Sequence, residues 1–277
     1  MTRSGQAFSW HRVAALARKD ARELVRNPGA IIPPVLMVFA SLFPLFLVVF
    51  LVPMLMGETL TESGEFAEEA ANAAAGIPEL AGLSGEALIQ AFLFLQFSLL
   101  LLLVPIVSAT ALATHAVIGE KQSKALEPLL ATPISTIELL AAKTLTPFLF
   151  ALGLSWAAVV IAIAGLIAIG EPGLWRSLLT MRLFMLFVVF GPLVELASLQ
   201  VSVLVSSRTN DPRSAQQLTA LLILPVTVVF VAQLMGLMIV GTTTIVSAAA
   251  GCVILNFVLA WLGVRVFQRE TILTRWR

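Results

Sequence analysis

The sequence has 277 residues, of which 59% are hydrophobic and only 12% charged, and its formal net charge is +1. A soluble domain carries roughly a quarter charged residues, so this composition, with a mean hydropathy of +0.98, excludes an ordinary soluble protein and indicates an integral membrane one. The single cysteine, Cys252, excludes an internal disulfide and a thiolate metal cluster, and reads as a small buried hydrophobe.

The segment up to Asn27 carries charges throughout. It lacks the apolar core of about 7–15 residues that a cleavable signal needs, so the first apolar span is expected to do the targeting. Trp10, Val13, Ala14, Ala17, Ala21 and Leu24 fall at helical spacing, while Arg12, Arg18, Lys19, Arg22 and Arg26 occupy the other faces. That pattern predicts an amphipathic helix lying in the cytoplasmic interface, ended by Asn27, Pro28 and Gly29.

A helix needs about 20 apolar residues to cross the hydrocarbon core. Six stretches reach that length: 31–56, 88–114, 144–169, 178–205, 218–240 and 245–267. Continuous runs exclude the short alternating segments of a membrane barrel, so the expected fold is an all-α membrane protein with six transmembrane helices and an N-terminal interfacial helix. Lys and Arg cluster before the first stretch, in the loops after the second and fourth (Lys121, Lys124, Arg208, Arg213), and at Arg265, Arg269, Arg275 and Arg277. The loop after the first stretch has none and holds Glu58, Glu62, Glu65, Glu68, Glu69, Glu79 and Glu86. The positive-inside rule therefore places both termini in the cytoplasm of a plasma or inner membrane protein. Arg176 and Arg182 are the exceptions, read as arginines that snorkel to the headgroups.

One membrane domain at 30–267 accounts for most of the chain, with the interfacial helix within 1–29 and a basic cytoplasmic tail at 268–277. Its acidic outer loop, 57–87, reads as a solvated lid, with Thr61 or Ser63 capping a short alanine-rich helix that Gly76 and Pro78 end. Ser84 with Glu86 reads as the cap of the second span. The loop at 115–143 is cytoplasmic.

Several chemistries have no residues to carry them. No phosphate-binding G-x-x-x-x-G-K-[ST] loop occurs, so ATP hydrolysis by that route is excluded, and no cofactor or nucleic-acid partner is expected. His11 and His115 are far apart and have no neighbouring metal ligands. There is no G-x-S-x-G elbow, and Asp20 and Asp211 are the only aspartates. Polar residues inside the spans are the remaining candidates for a transport path. Glu195 lies near the middle of the fourth stretch, where an ionised carboxylate is costly and usually kept for a reason. Ser198, Gln200 and Ser202 extend a stripe from it, and Gln96, Ser98, Gln233 and Asn256 add single groups elsewhere. The alternative role for Glu195 is a hydrogen-bonded packing contact between helices.

The cytoplasmic loop contains GEKQSKALEPLLATPISTIELLAAK. Pro128 and Pro133 stop any continuous helix, Leu126, Leu129 and Leu130 gather on one side of a short piece, and Ser135 with Glu138 matches a capping box that opens the third helix. A short helix with a leucine face and a charged rim suits a partner groove; the plainer alternative lays those leucines on the lipid surface.

This loop closely resembles the G-E-K/R, LE-PLLATP and EL pattern of type-2 ABC transporter permeases, in the branch that includes sodium-efflux and multidrug-type exporters. ARKDARELVRNPGAIIPP looks like that family's interfacial helix entering the first span, and VSSRTNDPRSAQQL like its loop before the fifth. Ala142 stands where a glycine is common, and Glu195 belongs to no family motif. The resemblance implies a type V exporter-like fold, a second permease chain (the same or a different one), and a separately encoded ABC ATPase that holds ATP and Mg²⁺. It implies that residues 119–137 contain the coupling helix, with Glu120, Lys121, Glu127 and Pro128 at the contact beside Leu126, Leu129 and Leu130. The expected function is export of an ion or small amphiphile. A polytopic enzyme of lipid metabolism, or a membrane anchor or sensor without transport, are the other classes that such a chain could serve.

Overall fold

The computed structural model describes residues 9–51, 54–55, 59–64, 66–122, 136–209 and 211–266, and among them every regular element is helical. Six helices are long and apolar enough to cross a membrane: Pro28–Leu51, Gly85–Gly119, Ala141–Ile169, Met181–Arg208, Arg213–Leu234 and Thr242–Arg265. They are called the first to sixth spans below, and each overlaps one of the expected apolar runs.

The spans are not uniform α-helices, and prolines mark most of the irregular turns. Proline cannot donate to the carbonyl four residues back, and its ring crowds that carbonyl. The carbonyl so affected by Pro105 is Leu101, inside the 3₁₀ turn Ser98–Leu102. For Pro225 it is Leu221, inside the 3₁₀ turn Ala220–Leu222, and for Pro192 it is Val188, inside the π turn Met185–Phe190. A second π turn, Leu47–Leu51, stands in the same relation to Pro53, which lies outside the described residues. Pro147 sits within the unbroken helix Thr136–Ile169, so the effect is not general.

The second span is the axis of the bundle. It is 78% buried, against 17% for the fifth and sixth spans, and it packs on the first, third, fourth and fifth. Its phenylalanines and leucines (Phe92, Leu93, Phe94, Leu95, Leu99, Leu101, Leu102) form the centre of the main apolar cluster. The third span meets this core with small residues, Ala151, Ser155, Ala158 and Ala162, all buried, which let helices approach closely without a hydrophobic drive from water. At Gly165 the ring of Phe46 from the first span occupies the place of a side chain.

Helix α1 spans Trp10–Val25. It is amphipathic as expected, but its apolar stripe does not lie in lipid. Val13 and Leu16 pack on Ala141, Ala142 and Leu145 at the base of the third span, Leu24 joins a cluster with Ala113 and Val117, and Trp10 is left 69% exposed. The reason is electrostatic. Arg12 and Asp20 lie on the same face as Leu16, two turns apart, and each meets an opposite charge. The Arg12 guanidinium donates to Glu138 Oε1 at 2.7 Å, as does the Ser9 amide, also at 2.7 Å. Lys143 Nζ donates to Asp20 Oδ2 at 2.8 Å with both side chains buried, and Thr146 Oγ1 donates to the Ala17 carbonyl at 3.1 Å. Asn27 then turns the chain into the first span, its side chain accepting from the Gly29 amide at 3.1 Å.

The acidic loop after the first span differs from expectation in its caps. Thr59, not Thr61 or Ser63, is the capping residue, closing a capping box with Glu62 over the turn Leu60–Ser63; the Thr59 amide holds the Glu62 carboxyl below its usual range. Gly64, in the left-handed region at φ 69°, ends that turn, and the alanine-rich helix Ala67–Ala74 starts anew from Phe66. Ser84 precedes the second span without a side-chain cap bond, and the Glu86 carboxylate accepts instead from the amide and hydroxyl of Thr61, both at 3.1 Å. Leu60, Ala70, Ile77 and Leu80 bury their side chains in the main cluster. The loop is thus a seated cap with a solvated acidic surface. Asp211 caps the fifth span through Ser214, whose amide holds that carboxyl low.

The second helix reaches Gln122 and the third begins at Thr136. Leu126, Glu127, Pro128, Leu129, Leu130 and Ser135 lie outside the described residues, as do the side chains of Glu120 and Lys121 and the tail at 268–277.

Removing one partner of a buried ion pair leaves an uncompensated charge, at a cost of about 3–5 kcal/mol, whereas replacing both by apolar residues is often neutral. Lys143→Leu is therefore expected to lower the unfolding midpoint in detergent strongly, and the double variant Asp20→Leu with Lys143→Leu to recover most of the loss.

Candidate functional site

The fourth span carries the residues that most need explaining. Gly191, Glu195 and Leu199 follow one another at four-residue spacing, and all three are buried. Gly191 sits beside Leu102 of the second span, and Leu199 packs with Ala109, Leu112 and Ala151 of the second and third spans. Glu195 lies between these contacts, fully enclosed. Neither of its carboxyl oxygens makes a hydrogen bond, and the backbone of Leu152 lies alongside it.

Below Glu195, Ser198, Ser202 and Ser206 repeat at four-residue spacing, each buried. Ser198 Oγ donates to the Val194 carbonyl at 2.8 Å and Ser202 Oγ to the Ser198 carbonyl at 2.7 Å. With their protons committed to the backbone, the Ser198 and Ser202 hydroxyls have only acceptor capacity left. The column is therefore a line of oxygens in an apolar wall, headed by a carboxyl group that can accept, or donate when protonated.

The other expected path residues face elsewhere. Gln200 donates through Nε2 to Asn256 Oδ1 at 3.0 Å, and Asn256 Nδ2 donates to the carbonyls of Leu193 and Cys252 at 3.0 and 2.8 Å, tying the fourth span to the sixth. Gln96 donates to the Gln233 carbonyl at 3.3 Å and accepts from the Gln233 amide group, tying the second span to the fifth. The structure thus places Glu195, Gln200 and Gln96 at three separate helix contacts and does not bring them together. Gln233 and Asn256 were visible in the sequence as isolated polar groups; their pairing with Gln96 and Gln200 was not. Among the described residues no group of three or more His, Cys, Asp or Glu side chains stands close enough to hold a metal ion.

Arg182, expected to snorkel outward, is instead 3% exposed. It lies at the N-terminal end of the fourth span, with the charge of Glu79 in the turn Pro78–Leu80 acting on it. Arg176 does stay at the surface, with its guanidinium 5.3 Å from the Trp175 ring.

A family model described as "ABC-2 family transporter protein" matches residues 14–269, taking in all six spans and most of α1. No curated protein matches the chain.

The two buried carboxamide and carboxyl sites are expected to respond oppositely to apolar replacement. Gln96→Leu strands the Gln233 side chain and should lower stability by about 1–3 kcal/mol. Glu195→Leu removes a buried polar group that has no partner and should leave the unfolding midpoint unchanged or raise it; both are read by thermal unfolding of the detergent-purified chain.

Proposed function

The chain belongs to the ABC-2 family of transporter proteins and is a membrane permease subunit of an ABC transporter; from that footing we propose that it is the membrane half of an exporter driven by a separate ATPase. The observation that carries this reading is the motif of residues 119–143, which joins the helix ending at Gln122 to the one starting at Thr136. A partner that grips this loop pulls on the axial second span and on the third span together. The third helix continues unbroken for 34 residues, about 50 Å at 1.5 Å per residue, so a displacement at its base is carried across the bilayer. The two ion pairs to α1 make the interfacial helix move with that base.

In this reading Leu126, Leu129 and Leu130 anchor in a groove of the ATPase, and Glu120, Lys121, Glu127 and Pro128 form the rim. ATP and Mg²⁺ are bound by the ATPase, two permease chains pair across the axis of the transporter, and both termini face the cytoplasm. Glu195 is the residue of the path, since a carboxyl group without a hydrogen-bond partner in the bilayer interior is available to cargo or to a coupling ion.

Two outcomes test the reading. Leu129→Asp, or deletion of residues 127–133, is expected to abolish co-purification with the cognate ATPase while the permease itself stays folded; a complex that survives both changes refutes the docking assignment. In proteoliposomes containing the whole complex, Glu195→Gln is expected to slow efflux and to alter its pH profile with complex assembly intact, and unchanged rate and profile would remove Glu195 from the path. Stimulation of ATPase activity across a panel of ions and amphiphiles then identifies the cargo class.

A further inference from the structure

Seating α1 on the third span leaves the opposite side of that helix exposed, and this side is strongly basic. Arg18, Arg22 and Arg26 follow one another at four-residue spacing, which sets them on one face, and all three are exposed. Among the described residues no carboxylate pairs with them, whereas the neighbouring Lys19 meets Glu23 at 3.3 Å. Beside this ridge runs a second apolar edge, distinct from the stripe that packs on the third span. Trp10, Ala14 and Val25 share that side of the helix by their spacing, and Trp10 and Val25 are 69% and 61% exposed.

The position of α1 decides what this surface meets. Its bonds from Arg12, Ala17 and Asp20 reach Glu138, Thr146 and Lys143, a stretch of the third helix that rises about 12 Å around Ala141, where the third span begins. At its other end only Arg26 and Asn27 separate Val25 from Pro28, the first residue of the first span, and Gly29 lies against His115 near the end of the second. Helix α1 is thus held at the ends of three spans, where hydrocarbon gives way to headgroups. The first span carries the exposed apolar surface onward with Ile32, Leu36, Phe39 and Phe43.

We propose that the exposed side of α1 binds acidic phospholipid headgroups, with the arginine ridge on their phosphate oxygens and Trp10 and Val25 at the acyl boundary. Guanidinium forks match phosphate oxygens, three unpaired cations at the bilayer surface favour an anionic leaflet, and tryptophan suits that depth. A polar protein surface would answer the arginines but not the apolar edge beside them. The proposal does not depend on the exporter reading.

The test is amide hydrogen exchange of α1 in the full-length chain, held in nanodiscs of phosphatidylcholine with rising fractions of phosphatidylglycerol. Each basic side chain at an anionic surface strengthens attachment about fivefold, so phosphatidylglycerol is expected to slow α1 exchange saturably and by at least about tenfold. The triple variant Arg18→Gln, Arg22→Gln and Arg26→Gln should keep the wild-type Tm in pure phosphatidylcholine and lose most of the slowing, and lysine at the same three positions should retain most of it. Arg208→Gln, Arg213→Gln and Arg265→Gln together remove the same charge from other helices and should respond as wild type. No slowing in the wild type, or slowing undiminished in the glutamine ridge variant, overturns the proposal. Equal losses in the two glutamine variants reduce the effect to net charge and overturn the ridge.

Discussion

A peptide carbonyl released inside hydrocarbon has no water to bond, and that constraint shapes this bundle more than any single side chain. The chain nevertheless places prolines inside its spans, and the freed carbonyls of Leu101, Val188 and Leu221 fall in turns that have tightened to 3₁₀ or widened to π geometry. Such turns change the facing of everything beyond them. The π turn at Met185–Phe190 lies between Arg182 and Glu195, so the N-terminal and middle parts of the fourth span present their polar residues to different neighbours. The 3₁₀ turn at Ser98–Leu102 does the same for the axial helix, separating Gln96, bonded to the fifth span, from the residues that meet the fourth.

Around that axis the peripheral helices are held by few directional contacts. The fifth span is joined to the core through the Gln96 and Gln233 pair, and the sixth through Gln200 and Asn256. Each is a side-chain amide contact in a setting where apolar packing gives no preference over lipid. By contrast the third span is fixed at its base by ion pairs and along its length by small residues. The bundle is therefore tied by charge at the base of the third span and by side-chain amides at the fifth and sixth.

The six spans were legible because continuous apolar runs have one solution in lipid, and the interfacial helix was legible from the spacing of its charges. What the spacing could not say is where its apolar stripe would go, since Leu16 and Val13 suit a protein surface and a bilayer equally well. The position of the second span at the centre was hidden for the same reason: its leucines and phenylalanines look like those of the outer helices, and only packing distinguishes them. Glu195 stood out as a charge in an apolar run. Its lack of a partner, and the partners of Asp20 and Glu138, depend on residues far along the chain and leave no local mark. Arg182 was misread because an arginine at a helix end in lipid usually reaches outward, and here it is buried within the protein.

The contacts of α1 also set an order of events during synthesis. Arg12 and Asp20 find their counter-charges at Glu138 and Lys143, which emerge only after the first two spans and the cytoplasmic loop have been made. Until then the helix carries a buried-type aspartate and an uncovered apolar stripe at the membrane surface. Its final seating is consequently a late checkpoint: it can close only when the third span has entered the bilayer in the correct orientation, with Glu138 and Lys143 left on the side where α1 waits.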